Sequence, residues 1–145
     1  MPKGGLLNLL VINGGSSSIK FSLFATNKDA HDPSLILGGE LSGIGTPEAA
    51  LAIVQGKLVQ EKLLADKANN PAAAISVVFD AIRCAEPDPI DAVGYRVVHP
   101  GAEIRDHVRI TDEVLNKLEV AASFAPLHDP DALTTIFQPL RRSLR

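Results

Sequence analysis

A glycine- and serine-rich segment near the amino terminus is the first part of the sequence that could do chemistry. Residues 13–20 read Asn-Gly-Gly-Ser-Ser-Ser-Ile-Lys. Glycine lets backbone N–H groups approach phosphate oxygens without a Cβ clash, serine hydroxyls add donors, and lysine supplies a point charge. This composition favours a polyanion site, although neither the GxxxxGK[ST] nor the GxGxxG spacing is present. An ordinary hairpin turn is the alternative interpretation.

A charged residue inside an apolar run is the second candidate. Residues 94–101 read Gly-Tyr-Arg-Val-Val-His-Pro-Gly, at the end of a predicted strand. Arg96 and Val98 would share one face of that strand, and a charge in such surroundings needs a partner. A bound carboxylate or phosphate would serve, and so would one of the chain's own acids. For His99, the sequence favours a structural role over a catalytic one.

The third candidate is a loop stiffened by two prolines. Residues 125–130 read Ala-Pro-Leu-His-Asp-Pro, and Leu127 precedes His128 at its centre. A stiff loop can position a hydrogen-bond donor, but a histidine beside Asp129 could equally be a simple turn residue. A last helix is predicted from about Asp131.

Strands predicted early in the chain would position the first segment. Residues 6–12 form a short apolar run, which predicts a central strand buried on both faces. Residues 19–25 partly alternate, which predicts an antiparallel partner and places residues 13–20 at a hairpin tip. Residues 35–41 predict a third strand. Residues 51–64 are compatible with a further hairpin or with helix.

Two helices and another strand are predicted beyond residue 70. Asn70 and Pro71 are a good helix start, with asparagine as the cap and proline at the first helical position. An apolar stripe at helical spacing predicts the core-facing side of this helix; it contains Ile75, Val78, Phe79 and Ile82. Residues 91–98 predict a buried strand, and Thr111 caps a second helix.

Bulk properties narrow the class of partner. A net charge of −3 and a pI near 5.7 argue against general attraction to nucleic acid or an anionic membrane. The single cysteine, Cys84, cannot form an internal disulfide, and no cysteine–histidine spacing resembles a zinc site. Residues 6–12 are too short to cross a bilayer. We therefore expect a cytoplasmic protein without nucleic-acid or membrane partners.

Taken in order, the three segments resemble motifs of the acetate and propionate kinase family. The family pattern has Asn-Ala-Gly-Ser-Ser-Ser-x-Lys, then Gly-His-Arg-Val-Val-His-Gly-Gly, then Ala-Pro-Leu-His-Asn-Pro. The resemblance covers most of the chain, and residues 43–70 align least clearly. It implies an α/β fold of the actin-like, sugar kinase and Hsp70 (ribonuclease H-like) type, with a mixed sheet and flanking helices. Residues 1–145 would be an amino-terminal lobe, truncated before the rest of the active site and the second lobe.

The resemblance also implies a reaction and its participants. ATP would transfer its γ-phosphoryl group reversibly to acetate or another short carboxylate, giving acetyl phosphate and ADP with Mg²⁺ as cofactor. The residues implied for cofactor binding are Asn13, Ser16, Ser18 and Lys20, with Asn13 also near the metal. Those implied for catalysis are Arg96 and His128, and those for substrate binding are Arg96, Val98, Leu127 and His128.

Several expectations follow for the chain on its own. Family members are homodimers, and that contact is made largely through the second lobe, so a dimer of this kind is doubtful here. Half of the charges of a phosphoryl-transfer site would be missing, and we expect the chain alone to be inactive. The alternatives are a non-catalytic nucleotide- or anion-binding module that needs a separate second lobe, and a remnant that binds nothing.

Some positions depart from the family pattern. Gly14 and Asp129 are mild replacements for alanine and asparagine. Tyr95 replaces histidine, Pro100 replaces glycine and Ala102 replaces glutamate. Proline fixes φ and lacks an N–H, so the loop beside Arg96 is expected to differ from its relatives.

Overall fold

A six-stranded mixed sheet forms the body of the protein. The computed structural model describes residues 5–15, 17–27, 29, 31–85, 89–96 and 102–124, with side chains up to residue 121. The strands are β1 (Leu7–Gly14), β2 (Ser18–Thr26), β3 (Ser34–Ser42), β4 (Ala50–Gln55), β5 (Leu58–Leu63) and β6 (Ala92–Tyr95). A short 3-10 helix (Ala65–Ala68) leads into helix α1 (Pro71–Ala85), and α2 (Asp112–Phe124) follows β6. Strand order is β5-β4-β3-β2-β1-β6, with only the β1–β6 pair parallel.

The predicted hairpin of the first two strands is confirmed. β1 and β2 pair antiparallel, with Ile12 opposite Phe21 and Asn13 opposite Lys20. Side chains alternate between the two faces, so Leu10 and Ile12 lie in the core while Val11 between them points the other way. The third predicted strand is confirmed as β3, which continues this antiparallel arrangement.

The expectation that β1 is buried on both faces is wrong. Ile12 is buried against α1, whereas Val11 is 45% exposed. An apolar run reveals that a strand can be buried, but it does not reveal which face receives a covering layer. Among the described elements, α1 supplies core residues to one face, and we call the opposite side of the sheet the open face.

Residues 51–64, which the sequence left undecided, contribute a second hairpin. β4 and β5 pair antiparallel with Gln55 opposite Leu58, leaving Gly56 and Lys57 as a two-residue turn. Gly56 has φ of +61°, a conformation that glycine adopts without a steric penalty and that suits tight hairpins. The turn chemistry therefore outweighs the helix tolerance of the neighbouring alanines.

Helix α1 begins and packs as predicted. The Asn70 side-chain oxygen accepts a hydrogen bond from Ala73 N–H at 2.8 Å, and Pro71 occupies the first helical position. The predicted stripe faces the core: Ile75, Val78 and Ile82 are fully buried, and Phe79 packs against them in part. This helix covers the buried face of the sheet.

Replacing Asn70 with alanine should lower the free energy of unfolding by about 1 kcal/mol, because the Ala73 N–H loses its acceptor. Urea denaturation followed by circular dichroism would measure the loss. Asn70→Asp keeps an acceptor at the cap and is the matched control, expected to match the wild type. Equal stability of the alanine and aspartate variants would contradict this account of the helix start.

The sixth strand is anchored to β1 at its beginning. Asn8 N–H donates to Asp91 Oδ2 at 2.7 Å, and Asp91 N–H donates to Asn8 O at 2.9 Å. The sequence predicted a buried strand over residues 91–98. β6 is observed over Ala92–Tyr95, but its side chains are half-buried on one face and exposed on the other, so the expected burial is wrong. Residues 97 and 98 lie outside the described part of the chain.

Helix α2 starts at the predicted cap, since Thr111 Oγ1 accepts a hydrogen bond from Val114 N–H at 3.3 Å. Leu118 is its buried residue, and it forms a small second cluster with Tyr95 and Ile104. Because Tyr95 also packs against the main core, this residue joins the two clusters. The predicted loop over residues 125–130 and the helix from Asp131 lie outside the described residues.

Candidate functional site

Two of the three candidate segments meet on the open face of the sheet. Asn13 of β1 is paired with Lys20 of β2. The parallel register sets Ile12 beside Tyr95, so Arg96, the next residue, takes the position beside Asn13. Arg96 N–H donates to Ile12 O at 3.2 Å, which fixes this arrangement. Strand topology thus brings together residues 83 positions apart in the chain, 13 and 96.

These residues belong to a line that crosses all six strands. We call it the charged row, and in strand order from β6 to β5 it contains Arg96, Asn13, Lys20, Glu40, Ala52 and Glu61. Its cations lie at the β6 end and its acids at the β5 end. Side chains at neighbouring positions of such a row are close enough to interact.

The two cations of the charged row are available to a ligand. Lys20 and Arg96 are exposed, and Asn13 between them is half-buried. Within the described residues, no acid forms an ion pair of 4.0 Å or less with either cation. Arginine can present two parallel donors to a carboxylate or phosphate, and lysine adds a compact charge. The arrangement therefore suits an oxyanion held beside Asn13.

The hairpin tip is fixed by backbone hydrogen bonds. Gly15 N–H donates to Ser18 O at 2.8 Å, and Ile44 N–H donates to Ser17 O at 3.0 Å. Ser18, half-buried, begins β2 on the same face as Lys20. The Gly15 N–H is therefore used inside the tip, contrary to the expectation that glycine N–H groups here point at phosphate. The Gly15 amide is therefore not free to donate to a ligand.

Four of the residues singled out by the resemblance lie outside the described part of the chain: Ser16, Val98, Leu127 and His128. The third candidate segment, residues 125–130, also lies wholly outside the described residues. His99 and Pro100 are also outside. The site described here is therefore built from Asn13, Ser18, Lys20 and Arg96.

Tyr95, which stands where the family pattern has histidine, does not enter the site. Its ring packs against the core and the α2 cluster, on the side of the sheet opposite the charged row. The hydroxyl is buried and has no hydrogen-bond partner among the described residues. Burial raises the pKa of Tyr95 well above its ordinary value, because the ionised form would lose hydration.

Tyr95→Phe should raise the free energy of unfolding by about 1 kcal/mol, because it removes a buried hydroxyl without a partner and keeps the ring. The raised pKa means that the folded state holds the proton more tightly than the unfolded state. The free energy of unfolding therefore falls as pH rises above about 10, where the tyrosine ionises in the unfolded chain but stays neutral in the folded one. Urea titrations at neutral and alkaline pH should show a higher midpoint for the variant and a weaker alkaline decline. A lower midpoint at neutral pH would contradict the missing partner.

Two charged residues of the row were not found by sequence reasoning. Glu40 is paired with Lys20, and Glu61 lies at the β5 end. Alternation along β3 could have placed Glu40 on one face, but only the register of β3 against β2 reveals that it is opposite Lys20. No motif in the sequence specifies that register.

A profile described as the acetokinase family matches residues 8–142. The chain belongs to the acetokinase family. It is 37% identical over 139 residues to an acetate kinase of Brachyspira hyodysenteriae, and 35% identical over 133 residues to one of Oceanobacillus iheyensis. These alignments cover 90% and 89% of this chain but 33% and 32% of the relatives, so the chain spans about a third of their length.

Solved structures of the family have the same fold. A propionate kinase of Francisella tularensis superposes with a TM-score of 0.79 at 25% identity, over 96% of this chain and 35% of that protein. An acetate kinase of Porphyromonas gingivalis gives 0.73 at 29% identity, over 91% and 33%. The predicted fold class, an α/β lobe with a mixed sheet, is confirmed as a partial domain of this acetokinase fold.

Metal clusters and membrane-spanning helices are both absent from the described residues. No group of three or more histidine, cysteine, aspartate or glutamate side chains lies together as a metal cluster in the part of the chain that the structure describes. None of the described helices has the length and apolar character needed to cross a membrane.

Proposed function

We propose that this chain forms the phosphate-facing and carboxylate-facing part of an acetate kinase-type site. The reaction at such a site would be reversible transfer of the ATP γ-phosphoryl group to acetate or another short carboxylate. The observation that carries the proposal is the convergence of Asn13, Lys20 and Arg96 on the open face. Supporting it, the similar proteins are named acetate kinase and propionate kinase.

Each described residue has a physical role in this proposal. Lys20 neutralises phosphate charge on the nucleotide, and the Ser18 hydroxyl donates a hydrogen bond to a phosphate oxygen. Arg96 binds the carboxylate or the transferring phosphoryl group through its fork of donors. Phosphoryl transfer depends chiefly on placement and charge neutralisation, and exposed cations on a rigid sheet meet that demand. The proposed roles of Ser16, Val98, Leu127 and His128 rest on the resemblance alone.

Magnesium is the cofactor that this chemistry implies, and the described residues could supply only part of its ligand shell. Mg²⁺ in kinase sites takes one or two protein oxygens and completes its shell with phosphates and water. The Asn13 side-chain oxygen, between the two cations, is the proposed protein ligand. When bound, the ion would supply positive charge that offsets the negative charge of the phosphate groups.

A second candidate is an anion-binding module without catalysis. It is supported by Lys20 and Arg96, which are exposed and form no ion pair of 4.0 Å or less with an acid among the described residues. We propose that the chain alone binds Mg-ATP or acetyl phosphate but does not transfer the phosphoryl group. Cytoplasmic location and action on small organic acids belong to the same proposal.

Isothermal titration of the full chain with Mg-ATP, and separately with acetyl phosphate, tests the proposal. Lys20→Met should weaken binding of each ligand about tenfold, because one charge-assisted contact is lost. Lys62→Met is the matched control, since Lys62 is exposed and lies opposite Leu51 on the other side of the sheet. If the two substitutions weaken binding equally, the binding is only non-specific attraction between charges.

A coupled assay for magnesium-dependent acetyl phosphate formation then separates the two candidates. Binding without turnover at high protein concentration supports the module, and turnover that Lys20→Met removes supports the enzyme. Absence of heat from a chain that is folded by circular dichroism and monomeric by sedimentation would overturn both.

A further inference from the structure

The open face of the sheet carries exposed apolar residues in addition to its charges. Next to the charged row runs a second line, which we call the valine row. In strand order from β6 to β5 it contains Gly94, Val11, Ser22, Gly38, Val54 and Val59. Val11, Val54 and Val59 are 45%, 41% and 68% exposed. Exposed apolar side chains clustered on one face indicate a surface that another layer covers.

The charges of the open face are arranged so that the open face of a second copy of the chain complements them. A rotation of 180° about an axis parallel to the strands, placed between β2 and β3 at the middle of the sheet, lays β2 over β3 of a second copy. It also lays β1 over β4 and β6 over β5, and it keeps each row over the same row. In the charged row, Lys20 then faces Glu40 of the other copy, and Arg96 faces Glu61 of the other copy. Every charge of the row meets one of opposite sign.

The valine row is complementary under the same rotation. Val11 faces Val54 of the other copy, and Ser22 faces Gly38, so large residues meet large and small meet small. Val59, the most exposed of the three valines, faces Gly94, where a Cβ would find nothing within 4 Å. A protruding side chain therefore enters the space that a glycine leaves.

We propose that two copies of this chain associate through their open faces, forming a symmetric two-sheet sandwich with the charged rows and the valine rows opposed. Aligned packing of this kind is common between β-sheets, and a twofold axis makes every contact occur twice. Six strands about 4.8 Å apart and about 24 Å long give a face of roughly 600 Å² in projection. That approaches the ~800 Å² of accessible surface that each partner buries in a standard interface.

This interface differs from the family dimer that the resemblance implies, which is made largely through the second lobe. It also covers Lys20 and Arg96, so a paired copy and a bound phosphate compete for the same cations. The paired state would conceal the proposed site. The inference does not depend on the proposed function, because the pairing rests on rows whose complementarity holds without any ligand.

Charge reversal with rescue tests the inference. Sedimentation equilibrium of the full chain should give a dimer, and Lys20→Glu or Glu40→Lys alone should each weaken association at least about tenfold, by opposing like charges. An equimolar mixture of the two variants should recover the association, because each substituted residue then faces its complement across the interface. Lys62→Glu makes the same charge change on the other face and should have no effect.

A second pair of variants distinguishes loss of association from loss of folding. Val59→Asp changes an exposed residue of an edge strand on the open face, and Leu58→Asp changes its neighbour, 54% exposed, on the other face. The first should give a monomer, and the second should remain a dimer. A wild-type chain that is monomeric into the hundred-micromolar range, or a dimer that withstands Val59→Asp and gains nothing from mixing, would overturn the proposal and leave the face to another partner.

Discussion

Gly39→Ala is expected to lower the free energy of unfolding by about 3 kcal/mol, close to the upper end for overpacking a core. A Cβ at this position would lie 2.6 Å from Ala52 O of the neighbouring strand and closer still to the ring of Phe21. Phe21 is opposite Gly39 in the register, so its ring lies over the glycine on the buried face. The Ala52 carbonyl belongs to the sheet backbone and cannot withdraw without distorting the β3–β4 pair.

The adjacent glycine provides a matched control. A Cβ on Gly38 would meet Phe21 O at 3.7 Å and Ser22 Oγ at 3.8 Å, which is ordinary contact. Gly38→Ala should therefore leave stability unchanged or raise it by about 0.5 kcal/mol, because it restricts the unfolded chain. Urea denaturation of both variants is the measurement. Similar losses at the two positions would show that strand propensity, rather than the close approach at Gly39, decides the outcome.

Arg96→Gln should weaken acetyl phosphate binding by about 30-fold, the effect of losing two charge-assisted hydrogen bonds at a partly solvated site. Arg96 is exposed, so screening by water keeps the loss below that of a buried pair. Arg96→Lys should recover only a small part of the affinity, because an ammonium keeps the charge but not the fork of donors. Isothermal titration at constant salt would compare the three proteins.

Arg105→Gln is the control for this loss of charge. Arg105 is exposed, is not a member of the charged row, and donates from its Nε to Ala102 O at 3.3 Å. Binding should be within about twofold of wild type, since only an exposed charge that is screened by solvent is removed. If Arg96→Lys binds as well as wild type, bidentate recognition is wrong and Arg96 acts as a point charge.

Local patterns in the sequence were sufficient to predict most elements. Capping side chains marked α1 and α2, since Asn70 and Thr111 satisfy backbone N–H groups that any helix start leaves free. Alternation marked β2, and an apolar run marked β1. The β4–β5 hairpin stayed undecided because Gly56 adopts a positive φ that composition permits but does not require.

The site was predictable in part, for a related reason. The hairpin between β1 and β2 brings residues 13 and 20 together, and short-range patterns reveal hairpins. The position of Arg96 depends on a parallel pairing with β1, and the position of Glu40 depends on the register of β3. Both are properties of the whole sheet. The exposure of Val11 was missed for the same reason, since the sequence of a strand does not specify which of its faces another layer covers.

The parallel pairing of β6 with β1 has a consequence for the order of folding. Among strands β1 to β5, every pair joins strands that are consecutive in the chain, so each step closes a short loop. β6 joins last by closing a loop whose ends, Asn8 and Asp91, are 83 residues apart, and long-range closure slows folding. A chain emerging during synthesis would therefore complete its five-stranded meander first. The proposed ligand site, which needs Arg96 beside Asn13, would form only when the sixth strand joins the sheet.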